Sequence, residues 1–168
     1  SYSQSFKYSG HTDYLRHYFN LDPIMLMVSK KLKVALLTEH IALKDVVKNI
    51  TVEKTTEKLK LLCQVLNNDF GVINPNIAIL SINPHVGDNG VIGIEDQKLL
   101  IPAINQLNQK VNIFGPFSAD TFFIDNNYLY FEEKLDRVLG NHYQSLLYLN
   151  FDNSLFPFVY YLFYLFPR

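Results

Sequence analysis

The chain is poor in cysteine, tryptophan, glycine, proline and surplus charge. Its single cysteine, Cys63, has no internal partner for a disulfide. That fits a reducing compartment and excludes a zinc site built on paired Cys-x-x-Cys thiolates. Only 7 Gly and 7 Pro occur in 168 residues, while 48% are hydrophobic. A collagen-like repeat and a disordered tail are therefore excluded. Fifteen Lys and Arg stand against sixteen Asp and Glu, a net charge of -1. No basic footprint exists for sequence-independent nucleic-acid binding. Ser1–Ser9 lacks the apolar core of a signal peptide, and the start at Ser1 reads as a processed chain or a fragment.

A membrane-spanning run is missing too. The most apolar stretch, Leu155–Pro167, carries seven aromatics between Phe156 and Phe166. A spanning helix needs roughly 20 apolar residues. Asn150, Asp152, Asn153 and Ser154 keep this stretch from extending backwards. We read it as a buried strand or aromatic core segment, and expect neither a membrane nor a nucleic acid as partner.

What is present alternates between strand and helix signals. Ile24–Ser29 and Lys33–Leu37 are apolar runs of strand length around a turn at Lys30–Lys31. Leu43–Ile50 has helical spacing. Thr51 is placed to cap a second helix with Glu53 in its first turn; Leu59, Leu62, Val65 and Leu66 recur at helical intervals, and Gly71 ends it. Ile77–Ile82 is the clearest strand, continuous and branched-rich as in a buried parallel sheet. A Gly-rich loop follows, then a helix from about Glu95 to Lys110 with a kink expected at Pro102. Val111–Phe114 and Arg137–Leu139 are further strand candidates. The rhythm predicts an α/β fold. Lys54, Lys58 and Lys60 read as a solvated helix face.

Ligands of open α/β sheets bind beyond the carboxyl ends of strands. His40, His85 and His142 each follow a strand candidate. Three imidazoles converging there would suit a divalent metal, with Asp120 as a further ligand or a group behind one. No local motif joins them, and a lone histidine at a strand end is more often a hydrogen-bonded loop residue. Gly87, Gly90 and Gly93 follow a strand and precede a helix, where glycine lets backbone approach a phosphate; the spacing differs from the dinucleotide fingerprint, and a plain turn is the competing reading. His11 and Thr12 open a helix that Thr12 is placed to cap, with both side chains able to meet an anion.

Taken together, the blocks GHTDYL (Gly10–Leu15), ALLTEHIALKDV (Ala35–Val46), INPHVGDNG (Ile82–Gly90), IPAI (Ile101–Ile104) and GPFSADTFF (Gly115–Phe123) occur in the order of one family. The chain resembles the 4-hydroxythreonine-4-phosphate dehydrogenases of vitamin B6 biosynthesis. The resemblance implies a three-layer α/β sandwich with a mixed, mostly parallel sheet, similar to isocitrate and isopropylmalate dehydrogenases. It implies NAD-dependent oxidation of 4-phosphooxy-L-threonine, followed by decarboxylation to 3-amino-2-oxopropyl phosphate. It also implies a cytoplasmic homodimer sharing an active site around a divalent metal (zinc, cobalt or magnesium). By motif, His40 and His85 match metal ligands, Asp120 an acid beside the metal, and His11 and Thr12 the substrate-contacting pair. The loop at Gly87 and Gly90 would line the NAD crevice.

The resemblance weakens towards the end. His142, in His-Tyr-Gln-Ser-Leu, aligns with the third metal histidine, and Arg168 stands where the family has a substrate arginine. Asn150 falls where the family has a substrate lysine. The chain reads as a single α/β unit over residues 1–168, lacking the family's N-terminal portion and ending in an atypical aromatic tail over 146–168. The alternative to the enzyme is an inactive remnant that keeps metal or partner binding.

Overall fold

The computed structural model describes residue 8 and residues 10–20, 22–28, 33–107 and 111–123, with the backbone of two short strands at 137–140 and 159–160. In chain order the elements are α1 (His11–Phe19), β1 (Leu26–Val28), β2 (Lys33–Leu36), α2 (Val46–Asn49), α3 (Val52–Asn68), β3 (Asn76–Leu80), α4 (Ile101–Leu107), β4 (Asn112–Phe117), β5 (Arg137–Gly140) and β6 (Val159–Tyr160). The expected turn at Lys30–Lys31 lies outside the described residues.

The strands form one mixed sheet in the order β4-β3-β5-β2-β1-β6. β5 is parallel to both β2 and β3, and β3 is parallel to β4. β1 pairs antiparallel with β2 and with β6. Part of the expected aromatic segment, Val159–Tyr160, is thus strand. Because side chains alternate across a strand, Ile77 and Ile79 face one side with Ala35 and Leu37, where α3 and α4 pack on them. Ala78 and Leu80 face the other side and meet Ala119 and Phe122. Met25, Val34 and Leu36 form a smaller cluster of their own.

α3 forms as its sequence predicts. Thr51, in extended backbone, accepts a hydrogen bond from the Lys54 amide at 3.2 Å, a cap worth about 0.5–2 kcal/mol. The Glu53 carboxyl is held below its ordinary pKa by its backbone hydrogen bond and by the Thr51 hydroxyl. Leu59, Leu62 and Leu66 are wholly buried against the sheet, each contributing on the order of 1.5–3 kcal/mol. Gly71, at φ +65°, follows the helix end as expected.

Three expectations need correcting. Thr12 does not cap α1: Gly10 occupies the cap position with no side-chain cap bond, and Thr12 is buried inside the first turn. Lys58 is not on a solvated face. It is 7% exposed, because α3 turns that position inward beside Glu39. The helix after the Gly-rich loop is not uniform; Asp96–Leu100 forms a wide π-type turn before α4. That turn directly precedes Pro102, which cannot donate to the α ladder and crowds the carbonyl four residues back.

Candidate functional site

Since β2, β3 and β4 all run parallel to β5 or to one another, their carboxyl ends open on one side of the sheet. His40 follows β2, His85 follows β3 and Asp120 follows β4. β5 ends at Gly140, and His142 lies outside the described residues. Arg168, Asn150 and the remaining tail side chains lie outside them as well.

His85 and Asp120 are brought together. The His85 Nδ1 lies 3.2 Å from the Asp120 Oδ2. The Ser118 hydroxyl donates a short hydrogen bond to the other oxygen of Asp120. That bond is the chief reason the Asp120 carboxyl sits below its ordinary pKa, with His85 adding a smaller contribution. Asp120 is therefore an ionised, oriented acceptor facing Nδ1. With Nδ1 carrying the proton, Nε2 keeps its lone pair for a ligand.

His40 belongs to a second pair. It is exposed, in left-handed backbone at φ +53°, and its ring packs against the start of α1. A Cβ on Gly10 would lie 3.2 Å from His40 Cε1 and 3.3 Å from Nε2, so a larger residue would push the ring aside. His11 and Thr12 follow directly. His11 is exposed; the Thr12 hydroxyl is buried with no hydrogen-bond partner among the described residues. No set of three or more His, Cys, Asp or Glu side chains is arranged for a metal among the described residues.

The loop carrying His85 is unusual. Five consecutive residues, His85 to Asn89, have φ between +44° and +77°. They make a left-handed turn. For L-residues this costs roughly 1–2 kcal/mol each, and Val86 is β-branched, the type least tolerant of it. Gly87 is buried there; a Cβ would stand 2.1 Å from the Gly93 carbonyl oxygen. Gly90 is more open than Gly87. The start of the following helix is occupied by acids: Asp96, wholly buried, accepts from the Ile82 amide (2.6 Å), the Asn83 amide (3.0 Å) and Asn83 Nδ2 (3.0 Å), while Glu95 accepts from Asn83 Nδ2 at 2.8 Å.

Beyond β2 lies a cavity of about 560 Å³, lined in part by Arg16, Asp22, Glu39, Lys54, Thr55 and Lys58. Arg16 reaches Glu39 and Asp22, each at 2.9 Å. Lys58 Nζ lies 4.0 Å from the buried Glu39, and desolvation pulls its pKa down against the pull of that carboxylate.

Sequence reasoning missed Ser118, Asp96 and the Arg16–Glu39–Lys58 cluster. Ser118 was signalled only by its place two residues before Asp120. Asp96 could have been suspected from two adjacent acids opening a helix after a tight loop. Nothing local marks the ion cluster, which joins three separate elements.

The profile of the family described as pyridoxal phosphate biosynthetic protein PdxA matches residues 2–149. Over 93% of this chain there is 34% identity to a 4-hydroxythreonine-4-phosphate dehydrogenase of Bacteroides thetaiotaomicron, and over 70% there is 46% identity to one of Sulfurihydrogenibium. The chain spans 40% and 37% of the length of those two relatives. A crystal structure of the corresponding protein from Klebsiella pneumoniae superposes with a TM-score of 0.72 at 29% identity, covering 86% of this chain and 44% of that one.

Proposed function

Because the chain belongs to the PdxA family of pyridoxal phosphate biosynthesis, we propose that it carries the metal- and substrate-binding portion of a 4-hydroxythreonine-4-phosphate dehydrogenase. The full reaction in this reading is NAD-dependent. The secondary alcohol of 4-phosphooxy-L-threonine is oxidised to a ketone, and the β-keto acid loses CO2 to leave 3-amino-2-oxopropyl phosphate. The observation that carries the reading is the oriented His85–Asp120 pair, on the same side of the parallel strands as His40.

The donor set fits a divalent cation. His40 and His85 offer exposed imidazoles, His142 is the third ligand by motif, and zinc or cobalt suits them better than magnesium, which prefers oxygen. Asp120 faces His85 Nδ1, which favours a role behind the histidine over direct ligation. A cation held there supplies Lewis acidity at the substrate hydroxyl. The protein's own groups do the rest. Ser118 fixes Asp120, Asp120 keeps the His85 proton on Nδ1, and the buried Thr12 hydroxyl with His11 binds the substrate's polar groups. Arg168 is a further substrate contact by motif. NAD would lie along the loop at Gly87 and Gly90, of which Gly90 is the more accessible.

The same reading takes the chain as one α/β unit over residues 1–168, its helices and sheet forming part of a three-layer sandwich similar to isocitrate dehydrogenase. The tail over 146–168 is atypical of the family. The site is shared in a homodimer, in the cytoplasm. No helix among the described residues is long and apolar enough to cross a membrane. A second reading, a remnant that binds metal without turnover, is favoured by Asn150, which lacks the charge of the family's lysine.

Calorimetric titration of zinc or cobalt into metal-free chain, beside His85→Ala, tests the core of this. Saturable binding lost in the variant supports the metal centre. Binding indifferent to His85 removes it. NAD reduction with the phosphorylated substrate then separates enzyme from remnant, with Asn150→Lys as the gain-of-function arm.

A further inference from the structure

The left-handed turn at His85–Asn89 is costly backbone for the non-glycine residues in it, so bonds from neighbouring residues at its two ends bear on its position. At its exit the Val91 amide donates to the Asp88 carbonyl and the Ile92 amide to the Gly87 carbonyl, each at 3.0 Å, and the Gly93 amide reaches the Gly87 carbonyl at 3.4 Å. These close the turn at its far end. At its near end, where β3 delivers the chain, Asp96 takes the Ile82 and Asn83 amides and the Asn83 side chain on one buried carboxylate. Glu95 takes the same Asn83 amide group on its other side. Asn83 is thus clamped on its backbone and its side chain, two residues before His85.

We propose that Asp96 is a positioning residue: its carboxylate sets the exit path of β3 and thereby holds the left-handed turn that presents His85 to Asp120. The carboxylate suits this task. It accepts only, so three donors converge on it without competition, and charge-assisted bonds to amides are the strong kind. Asp96 bonds to Ile82 and Asn83, two and three residues before His85, so the influence runs along the backbone. The consequence for a cation rests on the reading of His85 as a ligand; the positioning itself does not.

The test is hydrogen–deuterium exchange on the full metal-free chain, followed by zinc titration. Asp96→Asn keeps the size but turns an NH2 towards amides that need an acceptor. Exchange over residues 82–93 is expected to rise at least about tenfold, with residues 52–68 of α3 unchanged, and zinc affinity to fall about 10–100-fold. Unchanged exchange over 82–93 overturns the proposal, because the turn then holds itself. A rise spread equally over α3 also overturns it, since Asp96 would then be only a stability residue. Should Asp96→Asn fail to fold, Asn83→Ala decides: it removes the side-chain half of the clamp at a half-buried position. A several-fold rise confined to 82–93 is expected, and no rise sinks the idea. If the wild-type chain binds no zinc, the metal reading fails while the exchange arm still decides the positioning role.

Discussion

Two strand ends, two places apart in the sheet order, each bury a carboxylate and do so in different ways. Beyond β2, Glu39 meets long cations from other elements, Arg16 of α1 and Lys58 of α3. Beyond β3, Asp96 meets backbone amides two and three residues from the histidine they lead to. The first arrangement ties helices to the sheet through side chains that can rearrange. The second fixes the path of the main chain. One strand end is built for cohesion between elements, the other for geometry within a loop. Both lie near a candidate ligand, His40 in one case and His85 in the other.

The largest effect should come from breaking the ion cluster. Glu39→Ala leaves Lys58 buried without its carboxylate and is expected to lose about 3–5 kcal/mol of stability at neutral pH in urea unfolding. Adding Lys58→Met should recover most of that loss, because an apolar chain of similar length needs no partner. If the double variant is no better than the single one, the cluster's cost lies elsewhere. Asp96→Ala comes next. It leaves two amides short of an acceptor and should cost about 2–4 kcal/mol, without rescue by any change on α3.

The pH dependence sharpens the contrast. The Lys58 pKa is lowered from 10.5 by burial, so the unfolded chain binds its proton more tightly. Stability from this group therefore rises as pH climbs from the depressed folded value towards 10.5. The rise should steepen in Glu39→Gln, and a flat profile there would contradict the burial. The smallest effect concerns Glu95, whose carboxyl sits below 4.5 mainly through its bond from Asn83. Its contribution is present above 4.5 and fades as pH falls through the lower folded value. Glu95→Gln should shift stability by under about 0.5 kcal/mol at pH 7, as exposed pairs do, and should abolish that acid-side fade.

Much of the scaffold was legible because it rests on local signals. The continuous run at Ile77 became β3, the Thr51 cap and the leucine spacing became α3, and Arg137 opened β5 as expected. Leu43–Ile50 was read as one helix and is a 3-10 turn followed by the four residues of α2. The candidate site was legible as residue types at strand ends, through His40, His85 and Asp120. What stayed hidden depends on chain path. A run of five left-handed residues cannot be read from His-Val-Gly-Asp-Asn when the β-branched Val86 stands inside it. The burial of Lys58 could not be seen either, since its partner Glu39 sits on another element and lysines at such spacing usually face water.

The order of the sheet also sets a schedule. β5 lies between β2 and β3 and bonds to both, although it is made after either of them. Until residues 137–140 leave the ribosome, β1–β2 and β3–β4 are two separate pairs with facing open edges. Such edges invite pairing with other chains, and the late strand pairs with β2 across about a hundred residues of sequence, the slow, non-local kind of contact. The middle of this sheet arrives after both of its neighbours, so the growing chain is most exposed to mispairing just before β5 emerges.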